Sequence, residues 1–284
     1  MAVKYYVGVN NTSKIVDKIY IGIGGTAQLC YKAVTPITTV TWADGTIAEI
    51  NSMLEMAYAG DINLDDYWSI GDERIVHCNE YGAFAEQDVV FVLMNKGGKM
   101  LADGVTECQY IIMMKDVFKG KTGYFPSIPM NTTHSTAGGW ASCTMRTGCC
   151  NGSIVNNVMN TDFLTICKEH INKTSKGNGS TVIGNTTDRF AIPSEIEVTG
   201  VYTRSYAGEG TQFEYYKTQS HLIKYTHYPN PAKAVEWRLR SCWNQKVNDS
   251  TSGYFAYVTI NASGVTYYNI ANKSTSALSV FTVI

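Results

Sequence analysis

Eight cysteines and five histidines are the residues of this 284-residue chain best suited to metal binding or nucleophilic chemistry. Their spacing does not suit either. The cysteines stand at 30, 78, 108, 143, 149, 150, 167 and 242. The only doublet is Cys149-Cys150, and no Cys-x-x-Cys occurs, so a zinc or dithiol site has no ligand spacing to build on. Among the histidines, His221 and His227 are six apart, which is not a ligand spacing, and His134 lies in a Thr/Ser stretch without a Cys or Asp partner nearby. Ser194 follows Pro193 and precedes Glu195, without the Gly-x-Ser-x-Gly elbow of a hydrolase; a helix cap or turn is the expected role. Asp61, Asp65 and Asp66 lack the glycine and closing glutamate of a calcium loop and read as helix-end carboxylates. The expectation is a protein with no catalytic residue, no metal and no cofactor.

The remaining chemistry is that of contact. From Trp237 the chain reads WRLRSCWNQKVNDSTSGYFAYVTINASGVTYYNIANKSTSALSVFTVI. Tyrosine offers rigid contact area with few rotors, and Ser, Asn and Gly offer adaptable hydrogen bonds. In Tyr254 to Ile260, strand alternation places Tyr257 and Thr259 on one face and Ala256 and Val258 on the other. With the small apolar face on the core, the tyrosine face would point outward. Tyr267 and Asn269 alternate in the same way with Thr266 and Tyr268. The candidate ligand-binding residues are therefore Asn244, Asn248, Asp249, Thr251, Tyr254, Tyr257, Thr259, Tyr267, Asn269 and Asn272. The same alternation also suits half-buried strand tyrosines with no ligand. Trp140, Arg146, Trp237 and Arg240 read as frame residues, packed or paired inside the domain.

The elements that would hold such a surface can be read in outline. Tyr6-Val7-Gly8-Val9 recurs as Tyr20-Ile21-Gly22-Ile23, and Thr12 recurs as Thr26, a period of 14 residues. Each unit reads as strand, Gly/Asn turn and strand. Isolated hairpins are marginal in water, so residues 1–38 are expected to stack on each other or on copies from other subunits, as a mount or oligomerisation module. After a Thr/Pro-containing stretch, Ile47, Ile50, Leu54 and Ala57 share one helical face, with Asp44 or Thr46 to cap it and Gly60 to close it. Strands are expected at Ile75 to Cys78, Asp88 to Asn95, Gln109 to Met114 and Leu278 to Ile284. Residues 119–139 read as a long loop, Trp140 to Thr147 and Ile154 to Ile171 as helical, and 172–188 as polar and turn-rich. Helices fall in the middle with strands on both sides, an α+β pattern.

Composition narrows the partners. A hydrophobic content of 44% can fill a sizeable core. The net charge of −1 and the lack of a Lys/Arg cluster argue against nucleic acid and against an anionic membrane surface. No apolar run reaches the roughly 18 residues needed to span a bilayer, so no membrane insertion is expected. The start, MAVKYYVG, is followed by no apolar signal core, which favours free thiols made in a reducing cytoplasm over disulfides.

Six stretches in fixed order carry a family resemblance: WADGT at 42–46, YWSIGDERIVH at 67–77, GGWASCTMR at 138–146, FAIPSEIEVTG at 190–200, EGTQFEYY at 209–216 and WRLRS at 237–241. Together they resemble a domain family frequent in tail-associated genes of bacterial phages and prophages. The last fifty residues resemble the C-terminal half of a C-type-lectin-like fold of the formylglycine-generating-enzyme kind, shared by the variable proteins of diversity-generating retroelements. Relatives close on a Gly-Val-Arg-Pro run where this chain has SALSVFTVI. The cysteine pair of the formylglycine-generating enzymes is not matched, since only Cys242 lies in that region.

The resemblance implies a lectin-like ligand-binding domain over 39–284, with 237–284 forming the display surface. It implies a phage tail adhesin made in the bacterial cytoplasm and carried in the virion, which binds a bacterial cell-surface glycan or protein. Other tail proteins would be partners, a homotrimer the assembly, and a retroelement a possible source of diversity. A tail-borne envelope-degrading enzyme and a purely structural tail component are the alternatives.

Overall fold

A computed structural model describes residues 6–9, 12–15, 18–23, 26–32, 39–126, 128–218, 222–226, 232–243, 253–260, 266–274 and 276–284. The chain divides into two compact units, Met1–Thr39 and Val40–Ile284.

The first unit carries the 14-residue repeat as two antiparallel hairpins. β1 (Tyr6–Val9) pairs with β2 (Thr12–Ile15), and β3 (Lys18–Ile23) with β4 (Thr26–Lys32). The repeated residues take equivalent places: Val9 lies opposite Thr12, and Ile23 opposite Thr26.

The second unit begins with Trp42, fully buried, and helix α1 (Ile47–Tyr58). Thr46 and Glu49 cap the helix reciprocally: the Thr46 hydroxyl accepts from the Glu49 N–H, and the Glu49 carboxylate accepts from the Thr46 N–H at 2.8 Å. Ile50, Met53 and Leu54 form the buried face, with Ile47 and Ala57 partly buried against it. Two of the sequence stretches meet here. Arg74 donates to the carbonyls of Trp42 and Gly45 at 2.9 and 2.7 Å, and the Trp42 and Trp68 rings meet edge-on at 5.7 Å.

Strands β5 (Glu73–Cys78), β6 (Gln87–Lys96) and β7 (Tyr110–Met114) form an antiparallel sheet. β7 is buried along its whole length, and β6 is buried on both faces from Phe91 to Met94. The fourth strand is the last of the chain. β15 (Phe281–Val283) pairs with β7 through Phe281–Met113 and Val283–Ile111. The closing run therefore leaves the C-terminal strands and completes the central sheet. Residues 276–284 are buried, so the expected display surface over 237–284 stops short of them.

The middle of the chain is less helical than its sequence suggests. α2 (Gly139–Ser142), a wide π-type turn at Met145–Ser153, α3 (Ile154–Asn157) and α4 (Thr161–Ile166) follow one another. Helix then gives way to strand, and β8 (His170–Ser175) pairs with β9 (Ile183–Asp188) across the stretch read as polar turns. The inward residues of this hairpin are polar, so no apolar alternation marks it. Asn172, Thr174, Ser175, Thr186 and Asp188 are all buried. Gly139 packs so closely on the hairpin that an added Cβ would stand 2.0 Å from the Ser175 carbonyl oxygen.

Asp188 is the hub that satisfies Asn172 and Thr186, while the Ser175 N–H donates to Glu209 at 2.8 Å. The Asp188 carboxylate accepts from Arg146 Nε (2.6 Å), Trp140 Nε1 (3.0 Å), Asn172 (3.0 Å), Thr186 (2.6 Å) and Asn151. Burial alone would raise its pKa, but these donors hold the carboxyl below its ordinary value. A second hub lies at α5 (Glu195–Thr199), capped by Ser194 and Glu197 in a reciprocal box. Glu197 also grips Arg240 through both oxygens and accepts from Lys99 at 2.7 Å. Burial opposes ionisation there too, yet the Arg240 and Lys99 charges outweigh it and bring Glu197 to about 2. Trp140, Arg146, Trp237 and Arg240 are thus frame residues, and Ser194 is a helix cap.

Helix α6 (Glu214–Thr218) and the hairpin β10 (Lys224–Thr226) with β11 (Lys233–Val235) precede the C-terminal sheet. That sheet orders β12 (Trp237–Cys242), β13 (Tyr254–Val258) and β14 (Thr266–Ile270), all antiparallel. β12 is buried at every position, and the stretch at Ala277 runs parallel beside it. The fold class is α+β.

Candidate ligand-binding face

Register decides which tyrosines can meet a ligand. In the β13–β14 pair Tyr254 lies opposite Ile270, Phe255 opposite Asn269, Ala256 opposite Tyr268 and Tyr257 opposite Tyr267. Residues directly opposite share a face, so Tyr254, Ala256 and Tyr268 lie on one side and Phe255, Tyr257 and Asn269 on the other.

The second side is not an outward tyrosine face. Phe255 is fully buried and Tyr257 only 9% exposed. Across β12, Tyr257 lies opposite Arg238, which is itself fully buried and donates from Nη2 to the Lys273 carbonyl. Burial pulls that guanidinium down to about 10. The outward placing of Tyr257 is corrected accordingly. Alternation tells which residues share a face, and a packed chain beside the strand decides which face is inward. Of the other candidates on described residues, Tyr254, Thr259 and Asn269 are half-buried and Asn272 is exposed. Asn244, Asn248, Asp249, Thr251 and the Tyr267 side chain lie outside the described residues, as do His221 and His227.

The first side carries an aromatic cluster. Tyr254 and Tyr268 are diagonal neighbours, and the small Ala256 opposite Tyr268 leaves room for their rings to meet edge-on at 5.2 Å. Trp243, one residue past β12, stacks on Tyr268 at 3.8 Å with the planes 9° apart, and meets Tyr254 edge-on at 5.5 Å. His134 reaches Tyr254 from the 119–139 loop, edge-on at 5.3 Å. The backbone fixes these positions: the Trp243 N–H donates to the Tyr254 carbonyl at 3.0 Å, and the Asn131 N–H donates to the Ala271 carbonyl at 2.9 Å. Gly253 is required by the close approach of His134, since an added Cβ would stand 2.0 Å from the imidazole Cδ2. The Arg204 guanidinium sits 6.0 Å from the Tyr268 ring centre.

Exposure grades across the cluster. Trp243 is nearly buried, Tyr254 and Tyr268 are half-buried, and His134 is exposed. The Trp243 indole N–H is buried with no hydrogen-bond partner among the described residues. An unmet buried donor costs on the order of 1–3 kcal/mol. Aromatic rings with one unspent donor and a cation at the rim can hold a ligand with apolar faces and acceptor oxygens. Of this cluster the sequence reading names Tyr254 but not Trp243, Tyr268 or His134, and Asn269 lies on the other side with Phe255 and Tyr257. Alternation from the sequence puts Tyr268 on the supporting face, and a one-residue change of register moves every side chain to the other side.

Among the described residues nothing comparable is built from the thiols. Cys78, Cys108, Cys143, Cys150, Cys167 and Cys242 are buried, and burial pushes the Cys242 thiol well above its ordinary value. Among the described residues no group of three His, Cys, Asp or Glu side chains is placed to hold a metal ion. None of their helices is long and apolar enough to cross a membrane.

The fold and face define an α+β domain with a half-open aromatic cluster at one end of its C-terminal sheet. A family described as a domain of unknown function (DUF6273) matches residues 109–274, more than half of the chain, and the chain belongs to that family. The matched stretch holds all four residues of the aromatic cluster. No curated protein and no solved structure matches the chain.

Proposed function

We propose that this protein is a recognition module, a phage tail adhesin that binds a bacterial cell-surface ligand through the aromatic cluster of its C-terminal sheet. The observation that carries the reading is the grouping of Trp243, Tyr254, Tyr268 and His134 on one face, with the Trp243 donor unmet. Clustered aromatics ringed by polar groups are the usual anchors of a contact surface. The phage context and the C-type-lectin-like arrangement rest on the six ordered sequence stretches. Several of those stretches are frame parts: WADGT, GGWASCTMR, FAIPSEIEV and WRLRS supply Trp42, Trp140, Arg146, Glu197 and Arg240. In this reading recognition involves no covalent step, and residues 1–38 mount the domain on the tail. A homotrimer would bring several weak sites together and raise avidity without new contacts.

The test is adsorption. Particles lacking this gene should assemble but fail to adsorb to host cells, and purified full chain should block adsorption of the parent phage. Failure of particles to assemble would instead indicate a structural tail component. Cleavage of envelope glycan by the purified protein would indicate an enzyme.

A further inference from the structure

A cleft of about 300 Å³ shares no residue with the aromatic cluster. That volume is at the lower end of small-molecule sites, roughly 300–1,000 Å³. Its walls come from the β6–β7 connection, from β8, from α5 and from residues 208–213. Four charged side chains line it: Lys99, Glu107, Lys173 and Glu197.

Two of these are already spent on each other. Lys99 Nζ donates to Glu197 at 2.7 Å and to Asn172 at 2.8 Å, and the other Glu197 oxygen is held by Arg240. Lys99, Glu197 and Arg240 are thus buried and held by one another and by Asn172. Glu107 and Lys173 differ. Both are exposed. The Gly98 N–H donates to Glu107 Oε1 at 2.6 Å and fixes the carboxylate, while Oε2 has no partner among the described residues. The Lys173 ammonium likewise has no hydrogen-bond or ion-pair partner among them. Ile111, Ile171 and Phe213 also line the cleft and supply apolar wall.

We infer that this cleft binds a small zwitterion, a molecule of the amino-acid class carrying one ammonium and one carboxylate. A lone cation would meet Glu107 but be opposed by Lys173, and a lone anion would meet the reverse. Only a ligand with both charges pairs with both walls, and its carbon chain covers the apolar floor. The inference is independent of the adhesin reading.

The test uses the full chain at low ionic strength. Glycine, γ-aminobutyrate and ε-aminocaproate span increasing charge separation; acetate and propylammonium carry one charge each. Binding is read by calorimetry and by NMR shift changes at Gly98 and Lys173. At least one zwitterion should bind and outcompete both single-charge probes. Lys173→Met and Glu107→Gln should each weaken it by about tenfold or more, the scale of one charge-assisted hydrogen bond. Both side chains are exposed and Gln retains an acceptor for Gly98, so unchanged melting curves will confirm that the variants fold. Absence of binding by every zwitterion, equal binding of a single-charge probe, or binding that survives both substitutions would overturn the inference.

Discussion

Among single residues, the clearest division is between Tyr257, buried against Arg238, and the pair Tyr254 and Tyr268, which share the half-open face. Truncating a buried aromatic leaves a cavity and costs about 3–5 kcal/mol. Tyr257→Ala should therefore lose roughly 3 kcal/mol in urea unfolding, with little direct effect on ligand contact. A loss below about 0.5 kcal/mol, the range of surface substitutions, would mean that Tyr257 faces solvent after all. The thiols give a second residue-level test. Cys149 is half-buried, whereas Cys78, Cys108, Cys143, Cys150, Cys167 and Cys242 are buried. Burial pushes Cys149 up to about 11, so modification with a thiol reagent should be slow near neutral pH, and among these seven it should label Cys149 first. Labelling of Cys242 first would contradict the packing of β12. The frame residues were legible in the sequence because Trp and Arg inside ordered motifs have few places to go. The presented residues were not, because identical tyrosines on adjacent positions differ only in which side the neighbouring chain covers.

At the scale of elements, apolar periodicity was a sound guide and polar pairing was invisible to it. The face and caps of α1 and the buried runs of β6 and β7 follow from hydrophobic spacing. The β8–β9 hairpin does not, because its inward positions are Asn, Thr, Ser and Asp gathered around Asp188 and its neighbours. The destination of β15 was also hidden, since a short apolar strand carries no label for the sheet it joins. The polar framework that ties β8, β9, α5 and β12 together sets the response to acid. Glu197 titrates at about 2 in the fold, below the ordinary 4.5, so the stability it confers is complete above the unfolded value and is lost as pH falls from about 4.5 towards 2. His170 is held neutral by burial, down to about 3 from 6.5, so its unfolded form gains a proton first and stability also falls from pH 6.5 towards 3. Melting temperature should therefore fall continuously from pH 7 to 3. Glu197→Gln removes one partner of a buried pair and should cost about 3–5 kcal/mol at pH 7. It should also flatten the decline below pH 4.5, whereas an unchanged slope in this variant would mean that other carboxyls govern acid unfolding.

For the molecule as a whole, the two compact units imply that residues 40–284 fold without the N-terminal hairpins. That fragment should show one cooperative melt by circular dichroism; aggregation or a broad, non-cooperative transition would place 1–39 inside the main folding unit. Full chain and fragment should also differ in sedimentation if the hairpins drive trimer formation, with the fragment monomeric. The proposed function rests on the ordered motifs together with the aromatic cluster, since fold alone does not determine what a surface binds. If the Trp243–Tyr254–Tyr268 face is the contact surface, purified full-chain Tyr254→Ala and Tyr268→Ala proteins, assayed at a temperature where both remain folded, will bind intact host cells more weakly than the parent. This assignment requires that each lose about 2 kcal/mol or more of binding, roughly thirtyfold in Kd, while Ile75→Ala, at an exposed position of β5, changes it little. Cell binding at the parental level by folded Tyr254→Ala and Tyr268→Ala proteins would contradict it.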